Sequence, residues 1–480
     1  MRLSDNGAAF IGAVCVRAEV FYRRHRKKRY CRLIFAERVN FVKKWRNALL
    51  GLATVTMLGT MLAGCGGNGG GGGNASGSTD PQAGLEAEKG KKLTIMVPGH
   101  NPRDKESWIN QKVEEFKTQY PDVTVEFITA SWENGETKIL ASAQSGDPID
   151  VINDGANSNP KFALKGITQP LQNYINMENP NLHMTSMDST FKYGDNYYVA
   201  ACATNVAVMF YNKTKLENNG QPDPLEMYNQ GQWTWENFLP IAKAMTNEST
   251  KEWGVATNYP YIWFGSNQTS LLKLDENFKY TLNLESPEMR RAFEMVQDAN
   301  YTSKWSGYDG DPWQTFYKGS AAMLMDFNNV EQDIITAKEY GLVDFEYGVV
   351  PVPAGPDNKD NVSPITTSGW AIGNNADCPY HAGKLIDMFV DGQAAADAEF
   401  NSGLNQDNVK LYEDLRSRPY CTNSYDSAVG GGYDICFKIG DGQDIAQTIA
   451  EFKPIYEKKI ADANDASTAL TMAPETTVEE

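Results

Sequence analysis

The chain has 480 residues, of which 41% are hydrophobic and 22% charged, with a formal net charge of −17. That length exceeds what a single core uses well, roughly 250 to 300 residues, so two lobes are expected. The balance excludes a disordered chain and a multi-span membrane protein.

The first feature in chain order is an apolar run, Ala48 to Ala63, behind the basic residues Lys43, Lys44 and Arg46, ending in Leu62-Ala63-Gly64-Cys65. A basic start, an apolar centre and a small-residue exit read as a secretory signal. The run is shorter than the ~20 residues a membrane span needs. Its end looks like a bacterial lipobox, in which the cysteine is acylated and becomes the mature N-terminus, so Cys65 is the expected lipid site. Residues 42–64 are then the signal peptide. Residues 1–41, with their basic stretch Arg23 to Arg32, read as a start-site overrun, translation beginning at Val42.

Residues 65–92 read as a tether, because Gly66 to Ser78 offers almost no side chain from which to build a core. Before Cys65 lie 13 basic and 3 acidic residues, and losing that +10 leaves −27 on the mature chain. So acidic a protein disfavours nucleic acid and suits a neutral ligand.

After the tether, Leu93 to Val97 is a β-type run ending in a Pro-Gly turn cluster. Ile109, Val113, Phe116 and Tyr120 form the stripe of an amphipathic helix that Pro121 stops. Val123, Val125 and Phe127 alternate as a half-buried strand. A helix is expected over about 136–144 and a strand over 150–153. This rhythm predicts an α/β fold with a parallel sheet flanked by helices, whose ligands sit at the carboxyl ends of the strands. Trp132 and Asp154 stand at two such ends, and His100, at a third, is weighed mainly as a turn residue.

Further on come Gly146 to Val151, Val206 to Lys213, Trp233 to Glu236, Lys318 to Met323 and Val350 to Pro356. In that order, behind a lipobox, these blocks resemble the family 1 extracellular solute-binding proteins of ABC importers, the maltose-binding type. The Thr-Trp-Glu block reads locally as a helix start, with Thr234 as N-cap and Asn237 at the capping-box position. The resemblance implies a periplasmic-binding-protein-like fold: two α/β lobes joined by a multi-strand hinge, with the ligand in the cleft. The N-lobe would be 93–204 with 353–405, the C-lobe 205–352 with 406–470, and 471–480 a disordered tail. The implied function is sugar capture by lobe closure, in a membrane-anchored monomer that delivers to ABC permease subunits.

Sugars offer hydroxyls to planar polar groups and C–H faces to aromatic rings. On that chemistry and the family's layout, the candidate contacts are Trp132, Asp154, Asn205, Tyr261, Trp263, Asp326, Phe327 and Trp370. Relatives typically carry a stacking Trp where this chain has Phe327.

Beyond the leader and the lipid site Cys65, the cysteines are Cys202, Cys378, Cys421 and Cys436. Cys421 and Cys436 would close a short loop if bonded, a pairing that export permits but does not require. Cysteine and histidine spacing suggests no metal site. No cofactor or catalytic motif appears, so an enzyme is not expected. A secreted glycosidase is the alternative of another class, since carboxylate pairs cannot be judged from sequence. A polyamine or peptide ligand is the alternative within binding proteins.

Overall fold

The computed structural model describes residues 81–471, apart from 133, 148, 156–157 and 159. The signal segment, Cys65, the glycine run and residues 472–480 lie outside the described residues. Residues 81–92, read above as the last part of the tether, instead begin the folded body. Pro81–Ala87 is a helix (α1), and Glu88 after it is buried. The carboxylate of Glu88 accepts the backbone N–H groups of Tyr380 and His381, both at 2.9 Å, and pairs with His381 Nδ1 at 2.7 Å.

Strand Lys92–Met96 (β1), helix Trp108–Gln119 (α2), strand Thr124–Ile128 (β2), helix Gly135–Ser145 (α3) and strand Val151–Gly155 (β3) follow the expected rhythm. β1 pairs in parallel with both β2 and β3. The stripe of α2 is real: Val113 and Phe116 are buried. The helix α3 ends on Gly146, whose φ of +77° gives the left-handed cap that favours glycine.

Further strands are Ala200–Asn212 (β4), Trp253–Ala256 (β5), Ala321–Phe327 (β6), Tyr347–Pro351 (β7) and Ser363–Gly373 (β8). One large sheet runs β2-β1-β3-β8-β4-β6-β5, with β7 paired to β4. It is mixed, not purely parallel as the rhythm alone implied, because β8 returns antiparallel to β3 and β4 runs antiparallel to both β8 and β6.

The long strands β4 and β8 carry the chain between two hydrophobic cores. Ala200 and Ala201 belong to a core with Leu93, Ile95, Val151, Phe116 and Trp370. Farther along β4, Ala207, Met209 and Tyr211 join a core with Trp235, Phe238, Trp263, Phe293 and Trp305. The opposite face of that end, Val206, Val208 and Phe210, packs in a third cluster with Leu324, Ile334 and Tyr412. At the crossing the register slips by one: Ser368 faces Ala203 but Gly369 faces Ala201, leaving Cys202 as the extra residue of a bulge.

Helix Pro379–Ser402 (α6) covers the first core, and Asn405 caps helix Gln406–Arg416 (α7) by accepting the Asp407 N–H at 2.8 Å. A buried polar cluster ties these elements to the crossing. Thr204 Oγ1 on β4 lies 2.9 Å from Thr367 Oγ1 on β8, 3.0 Å from Ser186 Oγ and 2.9 Å from His183 Nδ1. The Arg416 guanidinium donates to the Thr204 carbonyl at 2.9 Å.

Among the described residues, Cys202, Cys378, Cys421 and Cys436 make no bridge. Cys421 and Cys436 are not bonded to each other, and each is buried in a different cluster. The pairing that their spacing allowed is therefore corrected: the loop between them is folded around two cores.

Candidate ligand-binding site

The strand ends converge near the crossing. β5 ends at Ala256, and the segment after it, Thr257 to Tyr261, leads into the short helix Ile262–Ser266 (α5). Tyr261 sits at the N-cap of that helix, while the next residues turn inward. Tyr259 lies 5.9 Å from Tyr261 and 5.4 Å from Phe327 at the end of β6, both edge-on. Tyr261 in turn meets Tyr433 at 5.2 Å. The result is a chain of rings, Phe327, Tyr259, Tyr261 and Tyr433, drawn from three separate segments. Burial beside Tyr261 and Tyr259 holds the Tyr433 hydroxyl far above the ordinary tyrosine range, so it stays a neutral hydrogen-bonding group.

On the first-core side, Asp154 near the end of β3 is buried, its Oδ1 accepting the Gly155 N–H at 2.7 Å. Asn205 is half-buried on β4 opposite Thr366. The Asn328 side chain, just past Phe327, accepts the neighbouring Val206 N–H at 2.9 Å, so the end of β6 is pinned to the crossing strand.

Trp132 is 67% exposed. Its indole lies over Gly99, where an added Cβ would come within 2.2 Å of the ring nitrogen. Only a residue without a side chain, here at φ +73°, lets the indole lie so close. His100 is structural: Nε2 bonds Asn110 Oδ1 at 2.8 Å and the ring lies 5.2 Å from Phe127.

Three expectations are corrected. Trp370 is a core residue, 2% exposed, with its ring 4.2 Å from Phe389 of α6. Trp263 is likewise interior, packed with Trp235, Phe238 and Trp305. Asp326 is buried and committed to the protein: it accepts the Trp313 indole N–H at 2.7 Å and the Phe327 N–H at 2.7 Å. Of the eight candidates, the geometry joins Tyr261 and Phe327 in one cluster and sets Asp154 and Asn205 at the crossing side. Trp132 stands apart on its loop.

Sequence reasoning missed Tyr259 and Tyr433. Tyr259 lay in the same aromatic segment as Tyr261. Tyr433 follows Gly430-Gly431-Gly432, all at positive φ, a run that signals a backbone bent to present what comes next. The Thr234 start of helix Trp235–Ala244 (α4) is also subtler than a capping box. Thr234 makes no side-chain cap, and the Trp235 N–H bonds the Ala354 carbonyl at 3.0 Å instead.

A two-core α/β body threaded by long crossing strands, with strand ends meeting beside them, is the periplasmic-binding-protein-like class of fold. Residues 100–395 match the bacterial extracellular solute-binding protein family, and the chain belongs to it. Among solved structures, an ABC substrate-binding protein from Listeria monocytogenes in complex with cycloalternan superposes with a TM-score of 0.56 at 19% identity, covering 79% of this chain and 99% of that one. The galacto-N-biose-/lacto-N-biose I-binding protein of Bifidobacterium longum gives 0.57 at 16% identity, covering 79% and 96%. UgpB from Mycobacterium tuberculosis in complex with glycerophosphocholine gives 0.59 at 16% identity, covering 77% and 99%. In sequence, an uncharacterized lipoprotein in the oleD 5′ region of Streptomyces antibioticus is 24% identical over 315 residues, 58% of this chain and 61% of that relative's length. Among the described residues, no group of three or more His, Cys, Asp or Glu could hold a metal ion, and no helix is long and apolar enough to cross a membrane.

Proposed function

We propose that the chain captures a sugar or oligosaccharide between two lobes, 93–204 with 353–405 and 205–352 with 406–470, and delivers it to an ABC transporter permease from an extracytoplasmic position held by a lipid on Cys65. The observation that carries the sugar reading is the ring cluster Phe327, Tyr259, Tyr261 and Tyr433. Aromatic edges and faces suit the C–H patches of a pyranose, and tyrosine hydroxyls, a carboxylate and the Asn205 amide suit its hydroxyls. Sugars named in the complexes of related structures, cycloalternan and lacto-N-biose among them, favour the same class. Two cores joined by long strands suit closure, in which a ligand touching both sides shifts the population toward the closed form.

A thermal-shift screen of mono-, di- and oligosaccharides, with polyamines and peptides as controls, tests the reading. At 100 times its dissociation constant a true ligand adds about 2.7 kcal/mol, a shift of several degrees. The sugar is expected back uncleaved. A flat response to every sugar with a shift from a polyamine or peptide overturns the substrate, and a shortened oligosaccharide overturns the binding-only role. For the anchor, Cys65→Ser is expected to move the chain from the membrane fraction to the soluble fraction, and an unchanged membrane fraction counts against lipidation there.

A further inference from the structure

The strands Leu272–Leu274 and Tyr280–Leu282 form an antiparallel hairpin on the second-core side. Its second strand is fixed beside the turn to the C-terminal helix Ile445–Thr471: Asn464 accepts the Tyr280 N–H at 2.7 Å and donates to the Tyr280 carbonyl at 3.0 Å. Its turn is fixed by Asp275, whose Oδ1 accepts the N–H groups of Asn277 and Lys279, both at 2.9 Å. In that turn Phe278 has φ +58°, a conformation in which glycine or asparagine is the ordinary choice. A strained aromatic residue at a hairpin tip needs a compensating contact.

The compensation comes from the other side of the molecule. The Phe278 ring meets Tyr193 at 5.8 Å and 85°, edge to face. Tyr193 belongs to the hairpin of Lys192–Tyr193 and Asn196–Tyr197, which precedes the crossing strand β4. It is buried, lies 5.7 Å from Tyr198, and its hydroxyl donates to the Thr190 carbonyl at 2.8 Å. Ala163, Tyr193 and Tyr198 form a small cluster of their own, against which Leu274 and Phe278 pack. The hairpin thus reaches from one proposed lobe to the other outside the crossing strands themselves.

We propose that the Leu272–Leu282 hairpin is a strap that holds the two sides together through Phe278 on Tyr193, and so sets how long the site keeps its solute. The link to solute retention rests on the binding function proposed above; the strap itself does not. An edge-to-face pair of this kind changes an equilibrium roughly two- to tenfold. Losing it lowers the closed fraction, and apparent affinity falls in the same proportion, mainly through faster release.

The test needs no ligand. Small-angle scattering of the full chain without ligand is compared for the wild type, Phe278→Gly, Phe278→Asn and Phe278→Tyr. Glycine and asparagine accept the turn's backbone and remove the ring, so folding is not at stake, and tyrosine keeps the ring. A larger radius of gyration is expected for the Gly and Asn variants, with wild-type scattering for the Tyr variant. Hydrogen exchange of the amides of residues 192–198 is expected to speed up about two- to tenfold in the same two variants. Unchanged scattering and exchange in both overturn the strap even if sugars bind. A ligand screen that finds no sugar overturns the binding reading and leaves the scattering result to judge the strap alone.

Discussion

Burial decides the chemistry of single side chains here more than charge does. His183 sits under the crossing strands, and burial, aided by the positive charge of Arg416, pushes its pKa down from 6.5 to about 4. The folded state therefore refuses a proton that the unfolded chain accepts. The stability this contributes is complete above pH 6.5 and is lost as the pH falls toward 4, by about 3 kcal/mol. The thermal midpoint is expected to fall over that window, and to fall less in His183→Gln; equal slopes in both proteins would exclude this histidine as the cause. Asp426 works in the opposite direction. It is fully buried, accepts the Leu272 N–H at 3.0 Å, has no hydrogen-bond partner for Oδ2, and burial pushes its pKa up to about 8. Its folded form keeps the proton, so stability is complete below about pH 4 and declines as pH rises toward 8. Asp426→Asn is expected to flatten that decline in a pH series of urea melts. The tryptophans carry a prediction of another kind: Trp370→Ala should cost about 3 to 5 kcal/mol of stability, as removal of a large core ring does, and not act as a contact deletion.

Trp370 also shows where a sequence stops being legible. It lies on β8 with the first core, and Thr366, Ser368 and Trp370 alternate onto one face of that strand. Thr366 and Ser368 on that face are half-buried, while two residues later α6 lays Phe389 over it. Nothing in the strand announces that cover, because it is laid by a helix that starts several residues later in the chain. β2 and the first long helix were legible because each buries one face, giving periods of 2 and 3.6, whereas β1 and β3, largely buried on both faces, were legible as short apolar runs bounded by turns. The bulge at Cys202 was not, since an inserted residue leaves composition and periodicity almost unchanged. The ring cluster was legible only in part, for Tyr261 and Tyr433 lie 172 positions apart and only the fold joins them. Beside the bulge, Gly369 marks the tightest approach of the crossing strands. An added Cβ would stand 2.0 Å from the Ala200 carbonyl oxygen, which is backbone and cannot turn aside. Gly369→Ala is expected to lose about 3 kcal/mol or more in a urea melt, because the two strands must separate; a loss below 1 kcal/mol would mean that the crossing is more pliable than its packing implies.

Taken whole, the molecule concentrates buried polar order at the crossing strands. Thr204, Thr367, His183, Ser186 and Arg416 come from two crossing strands and from the segments that flank them, and they share one set of buried hydrogen bonds. Thr367→Val removes one hydroxyl from that set without changing side-chain shape much. It is expected to alter the response to the best sugar of the screen while leaving the ring cluster untouched, a shift in affinity with no change in which sugars are accepted. A change in the ranking of sugars would instead place Thr367 in contact with the ligand.

The clasp at Glu88 has a mechanical consequence. The chain entering at α1 is fastened by Glu88 to the first turn of α6, through two backbone N–H groups and His381. A pull arriving from the N-terminal direction is borne there, by the body built on β1 to β3, and never reaches the crossing strands. Under the lobe closure proposed above, a load taken up at this clasp falls on the first-core body and leaves the second-core side to move without working against it.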